Sequence, residues 1–214
     1  MLFGLSANLL WSTPLLAFSC KSSSVPVKIS TRFVKAVPVI DNNASQRRLN
    51  KKHRSRRDST QTIGMTESGL FIRVTTSFAI KSFRRSKKSC VALHGVKVEY
   101  GFGSTPVLID KQFRPGSCEY RAIYDHEIEH VRIMNSKGRS YNEWIHKQMS
   151  YRLKSITQRL TTRPNQEQRR ITGRVKKIAA SLMRKLNNSL SVAHAYIDTP
   201  ESYRKTQAKC SGWK

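Results

Sequence analysis

The stretch that decides the fold is residues 115–135, PGSCEYRAIYDHEIEHVRIMN. Pro115-Gly116 is a strong break, and Ser117 supplies the side-chain oxygen that is preferred at a helix N-cap. Apolar residues then recur every three or four positions, as in a helix that packs one face against a core. The sequence therefore predicts a helix from about residue 117 to about 135, with Gly138 placed where a C-terminal cap belongs.

This helix contains the pattern H-E-x-x-H at His126, Glu127 and His130. Residues four apart on a helix lie one above the other, so both imidazoles can reach one cation. Glu127 lies near the same face, where it can take a proton from a water molecule activated by zinc. The pattern predicts a zinc site of a metallohydrolase. Under the alternative interpretation, the three side chains lie on a solvated face and pair with nearby Lys and Arg.

A catalytic zinc usually takes three protein ligands, and the third one is less evident. A second helix is predicted from about residue 141 to 160, joined to the first by a short turn near Gly138. Two helices joined in this way are antiparallel neighbours, and reflection about Gly138 places His146 opposite His130. His146 is therefore the expected third metal ligand, with Glu201 in the last helix and His194 as alternatives.

Four segments before the helix have the alternation or the β-branched composition of strands: 25–40, 70–80, 90–102 and 107–113. Gly101, Gly103 and Pro106 predict a turn between the last two, and hence an antiparallel hairpin. A strongly basic third helix is expected from Asn165 to about Ala195, followed by a short helix after residue 199. The predicted fold class is α+β, a small antiparallel sheet packed on the H-E-x-x-H helix and followed by a basic helical extension.

The domain organisation follows from shifts in composition along the chain. Residues 1–19 are mainly apolar and carry no charge, and Ala17 and Ser19 supply small residues at the −3 and −1 positions of a cleavage site, which is typical of a secretory signal peptide. Residues 20–66 are interpreted as an N-terminal strand segment and a basic flexible linker, 67–160 as the core, and 161–214 as a basic C-terminal helical region. We expect an exported protein, periplasmic or secreted, with no integral membrane span in the mature chain.

Four cysteines occur without C-x-x-C spacing, which argues against a thiolate metal cluster. In an oxidising compartment they are expected to form disulfides. Cys90 and Cys118 flank the best-organised part of the chain and are the favoured pair, which leaves Cys20 with Cys210. Because Cys20 directly follows the expected cleavage site, lipid attachment is an alternative for that residue. Free buried thiols are the alternative for all four if the chain is not exported.

The charge is strongly one-sided, with 40 Lys and Arg against 13 Asp and Glu and a net charge of +27. Such a balance predicts attraction to an anionic envelope polymer or another polyanion. The chain has no recognisable motif for DNA or RNA binding and no G-x-S-x-G, so neither specific nucleic-acid recognition nor serine hydrolase chemistry is indicated.

The run from Cys90 to His130 resembles a group of small secreted bacterial proteins predicted to be zinc-dependent proteases. The resemblance lies in the order strand, turn, strand, followed by Pro-Gly-Ser-Cys-Glu-Tyr-Arg-Ala and H-E-x-x-H. Residues 197–201 and Cys210 are similar as well. The resemblance implies a zincin-like core of strands and a helix in a cell-envelope protein.

Three functional hypotheses follow. The first is an exported zinc-dependent hydrolase, a peptidase acting on peptides or proteins, in which Glu127 activates the water. The alternatives are a polyanion-binding envelope protein and a pseudoenzyme in which the metal is absent or only structural.

Overall fold

One long strand organises the sheet. The computed structural model describes Cys20, residues 26–52 and residues 62–213. Within these residues β4 runs from Lys88 to Asp110, and each of the other four strands pairs with it. Most of its side chains are buried, because it has neighbours along both edges and helices packed against it.

The neighbours of β4 run in both directions. On one edge lie β1, Lys28–Ala44, which is parallel to it, and the short antiparallel β5, Arg159–Thr161. On the other edge lie β3, Phe71–Phe83, and β2, Gly64–Thr66, which are both antiparallel. The predicted α+β class is confirmed, but the sheet is mixed and not purely antiparallel.

The antiparallel hairpin lies at the basic run of residues 84–88 and not at the predicted turn. β3 and β4 are joined by a short 3-10 turn, Arg84–Ser86, after which Lys87 adopts φ 51°. The strand predicted over 70–80 is confirmed as part of β3, and the one over 25–40 as part of β1.

The predicted turn at Gly101, Gly103 and Pro106 is wrong, because all three residues lie inside β4. Gly101 has φ 146° and Gly103 φ 66°, so the strand contains conformations that favour glycine, yet β1 keeps its pairing past both of them. A side chain at Gly101 would collide with the backbone of Val34. These glycines therefore serve a close approach between strands and not a chain reversal.

The helix α2 is continuous from Cys118 to Leu153, and its N-cap Ser117 accepts a hydrogen bond from the Tyr120 amide at 3.1 Å. The predicted break at Gly138 is wrong. A side chain at this position would collide with the ring of Phe33, and the Gly138 carbonyl accepts a hydrogen bond from the Tyr100 hydroxyl at 2.9 Å. The glycine is a contact point between α2 and the sheet, so no second helix turns back there.

The helix α3 spans Pro164–Ile197, and the short α4 spans Pro200–Gln207. The chain thus reverses direction after α2, and the predicted basic helix is confirmed. Its apolar stripe joins β4 and α2 in one hydrophobic core. The helix α3 is therefore part of the core and not an extension of it. Among the helices of the described residues, none combines the length and the apolarity that a membrane crossing needs.

Part of the expected basic linker is ordered against the sheet. The helix α1, Gln46–Lys52, places Leu49 in a small buried cluster with Ala44 and Leu108. The prediction of a linker is wrong for these residues. Residues 53–61 and the predicted signal peptide, 1–19, lie outside the described residues.

The cysteines form two disulfides, Cys20–Cys90 and Cys118–Cys210. Disulfide formation is confirmed and agrees with an exported protein, but the favoured pairing is wrong. Cys90 lies near the beginning of β4, whereas Cys118 follows the end of this strand, so the length of the strand separates them. The sulfur of Cys20 is bonded to Cys90 and is not available for a lipid thioether.

Candidate metal centre

The helix α2 brings three chemically active side chains to one place. His126, Glu127 and His130 lie on the side of α2 that is covered by the rest of the protein, with Glu127 4% and His130 8% exposed. The two imidazole rings meet edge to face with their centroids 5.0 Å apart. The alternative of a solvated face paired with Lys and Arg does not hold for these residues.

The end of α3 completes the cluster with Asp198, which sequence analysis did not nominate. Its Oδ1 lies 3.3 Å from His126 Nε2 and 3.1 Å from His130 Nε2. The local sequence explains its position. Asp198 is the C-cap of α3, and Thr199 caps the next helix by accepting a hydrogen bond from the Ser202 amide at 3.1 Å. The side chain is thus fixed in a short corner between two helices.

Long-range packing determines that this corner meets α2 at the histidines. The helices α2 and α3 run antiparallel, because His130 contacts His194 whereas the later residue Arg152 contacts the earlier residue Ser181. The disulfide Cys118–Cys210 ties the segment after α4 to the first residue of α2. The corner that carries Asp198 is therefore held on both of its sides.

The three donor atoms have separations that suit a small divalent cation. A tetrahedral zinc ion, bound at about 2.0–2.1 Å, holds its ligand atoms about 3.3 Å apart. The two measured Nε2–Oδ1 distances, 3.3 and 3.1 Å, are close to this value, and all three atoms lie within 4.8 Å of one another. Two imidazole nitrogens and one carboxylate oxygen are also ligands that zinc commonly takes.

The charges in the cluster favour an ionised carboxylate beside the histidines. Burial alone would raise the pKa of Asp198, but hydrogen bonds to His126, His130 and Tyr203 outweigh it and lower the pKa well below its ordinary value. Burial would likewise lower the pKa of His130, yet the hydrogen bond with Asp198 and the charge of Glu127 raise it overall. A proton and a metal ion therefore compete for the same His130 nitrogen.

Glu127 lies beside these donors, enclosed under β2. The Thr66 hydroxyl oxygen is 2.8 Å from Glu127 Oε2 and 3.0 Å from the Glu127 carbonyl oxygen. Burial is the largest influence and raises the pKa of Glu127, although the charge of His130 and the Thr66 hydrogen bond oppose it. When protonated, Glu127 can donate to the Thr66 hydroxyl, which then donates to the carbonyl oxygen, so both contacts are satisfied.

The close approach of β2 to Glu127 depends on a glycine. A Cβ at Gly64 would lie 2.6 Å from Ile123 Cγ2 and 2.7 Å from Glu127 Oε1. Gly64 and Thr66 are two residues apart on a strand, so both face α2. Sequence analysis missed Gly64 and Thr66, because a three-residue strand leaves almost no periodic signal.

Two more side chains hold the donor atoms in place. His194 Nδ1 lies 2.9 Å from His130 Nδ1, on the opposite side of the ring from Asp198. Burial and the charge of His130 lower the pKa of His194, so neutral His194 can accept a hydrogen bond from the His130 Nδ1–H and fix the tautomer of His130. The Tyr203 hydroxyl donates to Asp198 Oδ1 at 3.1 Å. His194 was considered as a ligand, whereas the geometry makes it a partner of one.

The structure does not bring the expected third ligand to the site. His146 lies on the same continuous helix as His130, and at about 1.5 Å per residue it is roughly 24 Å further along the axis. The prediction of His146 is wrong because it required a helix break that does not exist. Glu201 is 67% exposed and pairs with Lys205. Glu129 pairs with Arg132 at 3.0 Å, as expected for a residue outside the site.

Comparisons with known proteins add no relative. No family model, no curated protein and no solved structure matches this chain. The chemistry of the site therefore rests on the geometry of its own residues.

Proposed function

We propose that this protein is a zinc-dependent hydrolase, with His126, His130 and Asp198 as the metal ligands and Glu127 as the general base. A single observation carries the proposal: one carboxylate oxygen lies within 3.3 Å of both imidazole Nε2 atoms, next to a buried glutamate. Three protein ligands suit a catalytic site, whereas a structural zinc usually has four. Among the described residues the cluster has three such members.

The proposed chemistry is hydrolysis of an amide bond. A bound zinc ion would supply the Lewis acidity that polarises the carbonyl group. Glu127 accepts a proton from the attacking water as the water oxygen bonds to the carbonyl carbon. When the C–N bond breaks, Glu127 returns this proton to the leaving nitrogen. Thr66 orients the Glu127 carboxyl group, and the burial that raises the pKa of Glu127 also makes it a stronger base.

A peptide substrate is favoured by the position of β2. This strand is the outermost one on its side of β4 in the described sheet, and its face, rather than its edge, meets α2. An extended peptide can pair with such an edge through main-chain hydrogen bonds. It would then pass beside Glu127 and the ligand cluster, with its carbonyl groups close to both.

The test separates metal binding from catalysis. We expect about one zinc ion per oxidised protein by mass spectrometry and none in His126→Ala/His130→Ala. Glu127→Gln should keep the zinc but lose at least about 99% of peptide hydrolysis, since the general base contributes about 10²–10⁴-fold. Glu129→Gln is the matched control, because Glu129 is a neighbouring glutamate paired with Arg132, and it should retain activity. Zinc bound at this site without any hydrolysis would instead support a structural metal in a pseudoenzyme.

Polyanion binding is retained as a second candidate, because one groove is strongly basic. Near the end of α2 and the first half of α3, Arg152, Lys154, Arg174 and Lys177 line a groove beside Tyr151, which is 71% exposed. At about 1.5 Å per residue, Arg152 lies roughly 33 Å from His130, so this surface is separate from the metal centre.

The polyanion hypothesis has its own test. Replacing the four groove cations by Gln should weaken binding of inorganic polyphosphate and reduce the salt dependence of binding. The same number of replacements in the β3–β4 turn, at Arg84, Arg85, Lys87 and Lys88, removes equal charge elsewhere. Equal losses in both variants would indicate attraction by net charge alone.

A further inference from the structure

An apolar groove opens beside the metal centre, along the seam between α2 and α3. Its volume is about 670 Å³. The side chains on its walls come from both helices, and most of them are apolar: Ile133 and Lys137 from α2, and Asn188, Ser189, Val192, Ala193, Tyr196 and Ile197 from α3. The groove takes no part in the ligand cluster described above, yet it adjoins it.

The residues that line the groove are close neighbours of the candidate ligands on both helices. On α2, His126, His130, Ile133 and Lys137 follow one another at intervals of three or four residues, so they form a single stripe. On α3, Ile197 directly precedes Asp198. The lining of the groove therefore begins within one helical turn of His130 on α2 and directly before Asp198 on α3.

Two large apolar side chains of the groove are exposed and do not contribute to the hydrophobic core. Val192 is 74% and Tyr196 83% exposed, and they are four residues apart on one face of α3. The residues that α3 turns inward nearby, Leu186 and Leu190, are already buried. Neighbouring exposed apolar groups of this size are typical of binding surfaces.

The surface of α3 also changes its charge at the groove. Its part between Arg169 and Lys185 carries seven basic residues, whereas residues 187–197 contain no Lys, Arg, Asp or Glu. In a chain of net charge +27, an uncharged run of this length on a half-exposed helix is unusual. It coincides with the groove and ends at Asp198.

We propose that the groove is the subsite that binds a bulky apolar side chain of a peptide substrate, next to the bond that is cleaved. The proposal rests on the proposed hydrolase function and names its substrate class. An apolar side chain in the groove would place its own peptide bond near Glu127 and the ligand cluster. This would make large aliphatic or aromatic residues preferred over small polar ones.

Lys137 is assigned to a second residue of the peptide substrate, which would carry a carboxylate. It lies about 6 Å beyond Ile133 along α2, close to the span of two extended residues, about 6.6–6.8 Å. Its side chain is half-buried and pairs with no carboxylate among the described residues. A carboxylate two residues from the apolar side chain would meet this ammonium group.

The experiment uses the zinc-loaded full chain and internally quenched peptides with the cores Glu-Gly-Leu-Gly-Glu and Glu-Gly-Ser-Gly-Glu. We expect kcat/KM to be at least about tenfold higher for the Leu peptide, the usual scale for an apolar pocket. Val192→Ser/Tyr196→Ser should remove most of this preference by lowering kcat/KM for the Leu peptide. The control is Val39→Ser, an exposed apolar residue of β1 outside the groove.

A binding measurement keeps the two proposals distinguishable. Fluorescence anisotropy would follow a labelled Leu peptide on the Glu127→Gln protein, with and without the groove substitutions. Cleavage without any Leu preference, or a preference unchanged by the groove substitutions, would overturn the subsite and leave the hydrolase standing. Groove-dependent binding without cleavage by the wild type would sink the hydrolase and identify a peptide-binding groove.

A Gln-Gly-Leu-Gly-Gln peptide tests the contribution of Lys137. It should be cleaved more slowly than its Glu counterpart by the wild type and at an equal rate by Lys137→Gln. Equal rates in the wild type would overturn the assignment of the second position.

Discussion

Substitution of Gly138 by Ala tests the continuity of α2 past this residue, which excludes His146 as the third metal ligand. In an ordinary helix interior, Gly→Ala stabilises the fold by about 1 kcal/mol. At Gly138 the new methyl group would collide with the Phe33 ring, at distances that Cβ atoms do not tolerate. Overpacking of this kind typically costs about 1–3 kcal/mol, and a severe overlap lies at the upper end. We therefore expect a net loss of about 1–2 kcal/mol.

The same substitution at Gly173 is the matched control. Gly173 lies inside α3, and a Cβ there would meet nothing within 4 Å. Gly173→Ala should therefore raise the free energy of unfolding by about 0.5–1 kcal/mol. Urea titration followed by far-UV circular dichroism measures both variants, with the midpoint compared at unchanged slope.

A rescue variant separates the collision from a capping role. In a double-mutant cycle, Phe33→Leu should relieve much of the cost of Gly138→Ala, because a smaller side chain leaves room for the methyl group. A glycine that ended the helix in a left-handed conformation would show no such coupling. If Gly138→Ala stabilises the protein as Gly173→Ala does, the described packing of α2 against β1 is refuted.

Three further predictions address the site and the framework. Asp198→Asn should weaken zinc binding at least about 100-fold in a chelator competition, since loss of even an outer partner of a ligand costs about 10–100-fold. His146→Gln should bind zinc like the wild type, and the reverse ranking of the two variants would refute the ligand set. Replacing Cys118 and Cys210 by Ser should lower the free energy of unfolding by up to about 4.6 kcal/mol, the chain-entropy value for a separation of 92 residues, and unchanged urea midpoints would contradict it. The hydrogen bonds from Arg170 lower the pKa of Glu167 below 4.5. The Glu167 carboxylate therefore stabilises the fold above that pH, and this contribution is lost as the pH falls through the lower pKa of the folded state. Glu167→Gln should flatten that part of a stability–pH profile, and a profile of unchanged slope would refute the assignment.

Local patterns were sufficient for elements whose signal lies within one segment. The basic helix from Asn165 to about Ala195 and the placement of the H-E-x-x-H residues on a helix were both predicted, and the structure confirms these two predictions. Glycines were misinterpreted because a cap, a bend and a close contact look alike in sequence. The contacts of Gly138 with Phe33 and Tyr100, which lie far away in sequence, identify it as a packing position and not a helix end.

Prediction of the third metal ligand required the position at which the chain reverses direction. Reflection about Gly138 selected His146, but the reversal occurs near Arg163, where α3 begins. The same reflection about residue 163 places residues 196–200 opposite His130 and His126, which brackets Asp198. The weak signal was the start of α4 at Thr199-Pro200, which identifies a corner rather than a helix interior. The contact of Thr66 with Glu127 could not be predicted from the sequence, because the position of Thr66 depends on strand pairing across the sheet.

The order of the disulfides along the chain bears on how the protein matures. Each cysteine is joined to the next one in sequence, the first to the second and the third to the fourth. A chain that enters an oxidising compartment amino-terminus first presents each native partner before any competing later cysteine. Simple stepwise oxidation then yields the native pairs, and only one of the three pairings possible for four cysteines has this property. Such a protein would need little disulfide isomerisation, and a scrambled pair would indicate that folding had lagged behind oxidation.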